Sequence, residues 1–394
     1  MTQAVSESTV PAVRRSPSWV EVDLAAVRHN VAALRTLIAP AQVIAVVKAD
    51  AYGHGAVPVA RAAQQAGAAA LAVASLQEGL ELRQAGLTGP LLLLHAGRPE
   101  EAGEAVAHHL TQTLCRLEVA GALSAAAAPD RPARVHLKLD TGMGRLGLRP
   151  EEVADFARAA FSLPGLELTG VFSHLATAEE PDTTYARLQF ARYQQGLAEL
   201  DLSPGVRHLA NSAGALAFPE MRFDAVRTGL IVYGLDPIAG QEILPLRPAL
   251  AWKTRVAFLR TLPAGCCISY GRTYTTPGER LVGVLPLGYA DGFPRHISNR
   301  ASVLVRGVRC PTLGTVCMDH VVVDLTPAGD VRVGEEVVLI GPQGADRITA
   351  NEVAEWAGTV VHEIPTRLGP RVRRCHLHQD PASDGEHQPR GDLP

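Results

Sequence analysis

The first half of the chain alternates short apolar runs with stretches of helical spacing. Several runs are continuously apolar, as expected for strands that are buried on both faces. The stretches between them, such as residues 57–67, 151–161 and 185–200, are rich in Ala, Leu, Glu and Gln and predict helices. The eight apolar runs are VIAVV (43–47), ALAVAS (70–75), LLLL (91–94), TQTLC (111–115), RVHLKL (134–139), LTGVFSH (168–174), RHLAN (207–211) and AVRTG (225–229).

After about residue 245 the pattern changes to short β-rich runs separated by Gly and Pro, which predicts an antiparallel β domain. One helix is expected after Thr349, in ANEVAEWAG. A strand is predicted at WVEVDL (19–24) and is expected to join this β domain. The later runs are VAFLRTL (256–262), CCISYG (266–271), RLVGVLPLGY (280–289), ASVLVRG (301–307), DHVVVDL (319–325) and EEVVLIG (335–341).

Eight alternating strand–helix units over about 200 residues predict a (β/α)8 TIM barrel, so the expected fold is α/β, with an N-terminal barrel and a C-terminal antiparallel β domain. A doubly wound open sheet is the main rival, because alternation alone fits both folds. The count of eight favours the barrel. Active sites of barrels lie at the carboxyl ends of the strands, so polar residues at those points are the candidate functional groups.

The domain limits follow from these changes of pattern. We expect an entry segment over residues 18–30, a barrel over 31–245 and a β domain over 246–378. The two ends, 1–17 and 379–394, are polar and contain several prolines, so they are expected to be disordered.

Composition limits the possible partners. The 394 residues are 47% hydrophobic and 20% charged, and the formal net charge is -3 without a long basic run, which argues against nucleic acid or an anionic membrane as a partner. No run of roughly 20 apolar residues and no secretory h-region is present, so a cytoplasmic location is expected. The six cysteines form neither a CxxC pair nor a zinc pattern, so no metal site is predicted.

Lys48 is the sharpest single feature among the polar residues at the predicted strand ends. It follows a strand of purely apolar residues. Such a lysine either emerges into water at the rim or is a desolvated Schiff-base lysine, whose lowered pKa makes it nucleophilic toward carbonyl groups. The other strand-end residues are Lys138, Arg145, His174, Asn211, Ser212, Arg227 and Gly229.

A phosphate site is a second candidate at the same rim. Tyr52, Ser212 and Gly229 could bind a phosphate through hydroxyl and backbone N–H groups, and the last strands of a barrel are its usual phosphate site. Alternatively, Ser212 is a helix N-cap and Gly229 a turn glycine. The segment 142–147, GMGRLG, also matches a dinucleotide-binding fingerprint, but Pro150 follows before the helix, so the glycine turn does not open it.

With these residues in place, the chain resembles the alanine racemase family from about residue 19 to 376. The resemblance implies a barrel, a β domain and pyridoxal 5′-phosphate as cofactor. It also implies interconversion of L- and D-alanine, which supplies D-alanine for the bacterial cell wall. The matching stretches, in the family's order, are AVVKADAYGHGA, LKLDTGMGRLG, FSHLATAEE, ANSAG, VRTGLIVYG, ISYGRTY, LPLGYADGFPR and GTVCMD.

The resemblance also implies two bases, because racemisation removes a proton from one face of the α-carbon and returns one to the other. Lys48 would hold the cofactor and act as one base. Tyr270 would be the other, reaching in from the partner subunit of a homodimer with a shared site. His174 would tune that phenol, and Arg227 would face the pyridine nitrogen.

The remaining implied residues divide by what they would contact. The phosphate would be held by Tyr52, Ser212, Gly229 and Leu230, with Asn211 beside them. The substrate carboxylate would be recognised by Arg145 and by the backbone at Met318 of the partner subunit. The entrance would be lined by Tyr289. Lys138 matches a position that some family members carry as a carbamate.

One position departs from the family. His362 stands beside the expected cofactor site, where a tyrosine is usual, which leaves a racemase of a larger amino acid, such as serine, as an alternative. A decarboxylase of the same barrel fold is a further alternative, disfavoured by Arg227 and Tyr270. A non-catalytic protein that binds pyridoxal phosphate would lack Lys48 or Tyr270, and both are present. An NAD-dependent oxidoreductase would depend on residues 142–147.

Overall fold

The computed structural model describes residues 17–238 and 242–379. After strand β1 (Ser18–Asp23), eight parallel strands form a barrel, which confirms the predicted fold. The barrel strands are β2 (Gln42–Val46), β3 (Ala70–Val73), β4 (Leu91–Leu93), β5 (Thr111–Leu114), β6 (Ala133–Lys138), β7 (Leu166–Phe172), β8 (Val206–His208) and β9 (Ala225–Thr228).

The barrel closes because β2 pairs in parallel with β9 as well as with β3. Between β8 and β9, the N–H of Asp224 donates to the carbonyl of Arg207 at 3.0 Å, and that of Arg227 donates to Ala210 at 3.0 Å. A doubly wound sheet has two free edges, so this closure excludes the rival fold.

Helices surround the barrel, and local capping explains where several of them start. Asp23 caps α1 by accepting hydrogen bonds from two N–H groups, and Ser75 forms a capping box with Glu78 at the start of α4. The helices of this half are α1 (Leu24–Ile38), α2 (Lys48–Gly53), α3 (Ala56–Gln65), α4 (Leu76–Gln84), α5 (Ala102–Ala107), α6 (Leu117–Ala126), α7 (Val153–Phe161), α8 (Thr184–Ala198) and α9 (Ser212–Ala217).

The C-terminal half is mostly antiparallel, as predicted. Its larger sheet contains β10 (Leu250–Arg255), β15 (Ser302–Val305), β16 (Val308–Pro311), β18 (Glu336–Gln343), β19 (Asp346–Ile348) and β20 (Arg373–Leu377), together with β1. A smaller sheet contains β11 (Phe258–Leu262), β14 (Arg280–Leu285) and β17 (Val321–Asp324). The remaining elements are the hairpin β12 (Cys267–Ile268) and β13 (Tyr274–Thr275) and the helices α10 (Ala350–Ala357) and α11 (Glu363–Thr366).

The predicted strand over residues 256–262 is wrong at its start. The strand begins at Phe258, and a separate strand, β10, precedes it in the other sheet. Prediction missed β10 because half of its residues, LAWKTR, are polar. Buried and half-buried positions alternate along it, so Thr254 lies inside while Lys253 and Arg255 are only half-buried.

Strand β1 joins the C-terminal sheet, which confirms the expectation for residues 19–24. It pairs antiparallel with β10 and parallel with β20. The predicted limits at residues 31, 245 and 378 stay predictions, and the tails lie outside the described residues except for Pro17 and Gln379. Within the described part of the chain, no helix is long and apolar enough to cross a membrane.

Candidate active site

A cavity of about 1090 Å³ lies at the carboxyl ends of the barrel strands. Eleven of the fourteen residues singled out from the sequence line it. They are Lys48, Tyr52, Lys138, Arg145, His174, Asn211, Ser212, Arg227, Gly229, Leu230 and His362. The other three, Tyr270, Tyr289 and Met318, lie on the C-terminal domain and do not line this cavity.

Arg227 is buried at the end of β9 and is fixed by five hydrogen bonds. Nη1 donates to the carbonyl of His208 at 2.7 Å and to its Nδ1 at 2.9 Å. Nη2 donates to the carbonyls of Ser173 and Leu209 and lies 3.2 Å from Nδ1 of His174. Burial lowers the pKa of Arg227 to about 10, so the group stays charged at neutral pH. Nε makes no hydrogen bond to a described residue, which leaves it as the donor for a ligand.

Two histidines, His208 and His136, form a hydrogen-bonded chain that holds Arg227. The sequence analysis did not single out either of them. Because Arg227 donates to Nδ1 of His208, the proton of His208 sits on Nε2, which donates to Nδ1 of His136 at 2.9 Å. Burial, and then the charge of Arg227, lower the pKa of both rings, that of His136 to about 4. Both rings are therefore neutral, and the pair fixes the arginine without adding charge.

The chain contains three lysines, and two of them face this cavity. Burial and the charge of Arg145 lower the pKa of the Lys48 amine, while Glu78 opposes this effect. Lys138 is almost completely buried, with Nζ 4.5 Å from the centre of the Phe172 ring. Burial and nearby arginines, Arg227 first, lower its pKa well below the usual value. Both amines are thus more nucleophilic than a surface lysine.

Tyr52 is positioned by an unusual turn. Residues 49–52 all have φ between 51° and 53°, so helix α2 contains one left-handed turn made of residues other than glycine. The centre of the Tyr52 ring lies 4.9 Å from that of Tyr233 and 6.0 Å from that of His362. The His362 side chain is exposed at the rim of the cavity. Burial raises the pKa of Tyr52 to about 12, so its hydroxyl stays protonated and can donate.

The hydroxyl of Ser212 points to β9 instead of capping a helix. Asn211 is the N-cap of α9 and accepts from the N–H of Gly214 at 2.8 Å. Ser212 Oγ accepts from the N–H of Gly229 at 3.1 Å and lies 3.1 Å from Oγ1 of Thr228. The N-cap alternative for Ser212 is therefore wrong.

These groups fit pyridoxal 5′-phosphate. Neutral hydroxyl donors, Tyr52 and Ser212, gather around Gly229, where an added Cβ would lie 2.6 Å from the Tyr52 hydroxyl oxygen. Backbone can therefore approach a ligand closely at this point, as a phosphate group requires. The ring nitrogen would face Arg227, and Lys48 would supply an amine for the aldehyde.

Gly229→Ala tests this end of the site. The backbone at Gly229 has φ -107°, so alanine is not strained there, but its Cβ would displace Tyr52. We expect the dissociation constant for pyridoxal phosphate, measured by equilibrium dialysis, to rise at least about tenfold, or about 1.4 kcal/mol. Gly121→Ala is the control, because nothing lies within 4 Å of that Cβ. Equal affinity in both variants would contradict the assignment.

The glycine-rich segment 142–147 does not form a dinucleotide site. The carboxylate of Asp140 accepts from the N–H groups of Gly142 at 2.9 Å and of Gly144 at 3.1 Å. These donors would have to face a pyrophosphate in a dinucleotide fold. The segment instead returns the chain to β6, where the N–H of Leu148 donates to the carbonyl of Lys138 at 2.9 Å.

Tyr270, Tyr289 and Met318 lie on neighbouring loops of the C-terminal domain. Their exposed fractions are 71%, 41% and 52%, which is high for such large side chains. The carbonyl of Cys317 accepts from the N–H of Tyr289 at 3.1 Å, and Thr315 Oγ1 donates to the carbonyl of Tyr270 at 2.8 Å. One face of the domain therefore presents all three residues.

Arg371, from the RVRR segment at residues 371–374, forms ion pairs that fix this face. Arg371 contacts both carboxylate oxygens of Asp291, at 3.1 and 3.0 Å, and Asp319 at 2.9 Å. Asp291 is buried next to Tyr289, and Asp319 follows Met318. The sequence could not predict these contacts, because the partners of Arg371 are 52 and 80 positions away.

Comparisons with known proteins agree with this architecture. The model of the alanine racemase N-terminal domain matches residues 22–237, and that of the alanine racemase C-terminal domain matches residues 249–376. An alanine racemase of Symbiobacterium thermophilum is 49% identical over 365 residues, covering 91% of this chain and 97% of that protein.

Solved structures extend the likeness to three dimensions. The alanine racemase of Bacillus anthracis with bound L-Ala-P superposes with a TM-score of 0.87 at 39% identity, covering 92% of this chain and 95% of that one. A histidine racemase of Leuconostoc mesenteroides gives a TM-score of 0.85 at 28% identity, covering 93% and 99%. The chain belongs to the alanine racemase family.

Proposed function

We propose that this protein interconverts L- and D-alanine with pyridoxal 5′-phosphate, the cofactor on which its family depends. The observation that carries the proposal is the arrangement in one cavity of the Lys48 amine, the fixed Arg227 and the Tyr52–Ser212–Gly229 group. The amine suits the aldehyde of the cofactor, the arginine suits its ring nitrogen, and the hydroxyl and glycine group suits its phosphate.

Different residues of the chain would carry the proton and control the charge of the cofactor ring. When bound, pyridoxal phosphate withdraws electrons from the α-carbon of the substrate and so makes its proton acidic. Lys48 Nζ would accept or return that proton on one face, which its lowered pKa favours. Arg227, charged and held by carbonyl groups, disfavours a second positive charge on the nitrogen that it faces.

Tyr270 of the partner subunit is proposed as the base on the opposite face, which makes the protein a homodimer. Its exposure in the single chain supports this proposal, since a catalytic tyrosine on an open surface needs a partner to desolvate it. Met318 and Tyr289 lie beside it and would reach the same partner site, contacting the substrate carboxylate and lining the entrance. His174, neutral because of burial and the charge of Arg227, would meet the phenol of Tyr270.

Arg145 and Lys138 are proposed to act on the substrate side. Arg145 is exposed at the cavity and would pair with the substrate carboxylate. A neutral Lys138 amine is the form that can add carbon dioxide, and a carbamate there would place a negative charge near both Arg145 and Arg227. A cytoplasmic location and carbamylation of Lys138 stay predictions.

A panel of single L-amino acids with chiral detection of products tests the function. We expect L-alanine to give equal amounts of both enantiomers at equilibrium, with a kcat/KM at least about tenfold above those of serine and histidine. These two competitors are included because His362 changes the rim and because a histidine racemase shares the fold. Borohydride should bleach the absorbance of the bound cofactor and fix it to a lysine. Activity on another amino acid but not on alanine would refute the substrate.

A further inference from the structure

Glu78 does not line the cavity, yet it contacts the backbone that carries Lys48. Its Oε1 accepts a hydrogen bond from the N–H of Ala49 at 2.7 Å. Its Oε2 accepts from the N–H groups of Ala74 at 2.7 Å and of Ser75 at 3.2 Å. One half-buried carboxylate therefore joins the ends of the neighbouring strands β2 and β3.

The segment that Glu78 holds needs support. Left-handed backbone is unfavourable for residues other than glycine, because Cβ approaches the following carbonyl oxygen. A turn of four such residues, 49–52, persists only where its surroundings fix it. On the far side, Arg374 donates to the carbonyl of Gly53 at 3.1 Å, and His376 Nε2 lies 2.8 Å from the carbonyl of His54. On the near side, the bond from Glu78 fixes the first peptide after Lys48.

The charge of Glu78 also acts on the lysine. Of the groups that interact electrostatically with Lys48, Arg145 is positive, His174 is a histidine whose pKa is lowered by burial, and His362 is a histidine at the exposed rim. Among the described residues, Glu78 is the carboxylate that raises the pKa of Lys48 against burial and Arg145. The protonation of the amine thus depends on a residue outside the cavity.

We propose that Glu78 is a positioning residue for Lys48, fixing the backbone that follows it and supplying a negative charge that acts on its amine. The inference builds on the proposed function in that Lys48 is the lysine that holds the cofactor. The contact with Ala49 carries the proposal, because this bond reaches from α4 to the first residue after Lys48, where the left-handed turn begins.

A capping box at α4 explains only part of the arrangement. Ser75 Oγ accepts from the N–H of Glu78 at 3.4 Å, and Glu78 Oε2 accepts from the N–H of Ser75. This reciprocal pair satisfies free N–H groups at the start of the helix. It uses Oε2 and leaves Oε1 free to hold Ala49. If capping were the whole role, removing either partner of the box would have the same consequences.

Three variants separate the two roles. Glu78→Gln removes the charge, and its amide has one acceptor oxygen, so it can serve the cap or Ala49 but not both. Glu78→Asp keeps the charge on a shorter side chain. Ser75→Ala removes the other half of the cap and leaves the contact with Ala49 in place.

The Lys48 amine is titrated in the cofactor-free full chain by NMR after reductive methylation with carbon-13 formaldehyde. With three lysines in the chain, the signals can be assigned by single replacements. A carboxylate favours the protonated amine, so its removal by Glu78→Gln moves the Lys48 titration to lower pH. The Lys48 titration in Glu78→Asp should stay close to that of the parent chain, and Ser75→Ala should leave it unchanged. In the holoenzyme, we expect kcat to fall about tenfold in Glu78→Gln and less than about twofold in Ser75→Ala.

The proposal is overturned if Glu78→Gln and Ser75→Ala have the same effect on the Lys48 titration and on kcat. A hydrogen-exchange measurement on residues 49–52 adds a second readout, in which faster exchange in Glu78→Gln than in Ser75→Ala supports the proposal. Failure of the proposed function is distinguishable, because the titration and the exchange are measured without cofactor or substrate. A shifted titration in a chain that does not racemise alanine would refute the activity and support the role of Glu78.

Discussion

Lys48→Ala should lower the rate of alanine racemisation by at least about a thousandfold, in both directions, because it removes one proton carrier and the covalent anchor together. Borohydride treatment should no longer fix pyridoxal phosphate to the chain. The measurement is the initial rate by chiral chromatography from each enantiomer, with mass spectrometry of the reduced protein.

The matched control is Lys253→Arg. Lys253 is the third lysine of the chain and lies outside the cavity, with Nζ 3.1 Å from Glu21 and 3.4 Å from Glu336. Arginine keeps this pair, so activity and cofactor incorporation should remain within about twofold of the parent protein. Incorporation that persists in Lys48→Ala, or a loss of activity of less than about tenfold, would show that another residue holds the cofactor.

Subunits that carry Lys48→Ala and Tyr270→Ala should each be inactive alone and regain up to about a quarter of the parent activity when mixed. In a two-fold dimer with shared sites, about half of the random dimers are hybrids, and each hybrid has one intact site of two. The mixture is made by co-expression with two different affinity tags, and hybrids purified from it through both tags should reach about half of the parent activity, since each has one intact site of two.

Mixing two preparations of Lys48→Ala in the same way is the control and should give no recovery. Inactive hybrids, isolated through both tags, would mean that Lys48 and Tyr270 do not meet across an interface. If the Tyr270→Ala variant is active alone, Tyr270 is not one of the two catalytic bases.

The sequence predicted those parts of the fold in which local pattern and position agree. The barrel strands were visible because they are apolar on both faces, and strand ends in a barrel converge whatever the separation along the chain. For this reason Lys48, Ser212 and Arg227, which are up to 179 positions apart in the sequence (227 − 48), could be predicted to lie on one rim.

Prediction failed where a residue takes its role from distant contacts. Glu78 looks like an ordinary capping residue, and its bond to Ala49 depends on how β2 and β3 align. The His136–His208 pair shows no pattern, since each histidine falls within a strand run. The left-handed turn at 49–52 contradicts local preference, because alanine and aspartate rarely adopt it, and it exists because partners from both domains hold it.

The pairing of β1 with β10 and β20 has a consequence for how the protein is made. Trp19 leaves the ribosome long before its parallel partner Arg373, which follows more than 350 positions later. At roughly 5–20 residues per second, β1 waits on the order of 20 to 70 s for that neighbour, after the whole barrel has been synthesised. Strand β1 therefore gains its second neighbour only after the barrel has been made, and the C-terminal sheet cannot be complete before β20 has been synthesised.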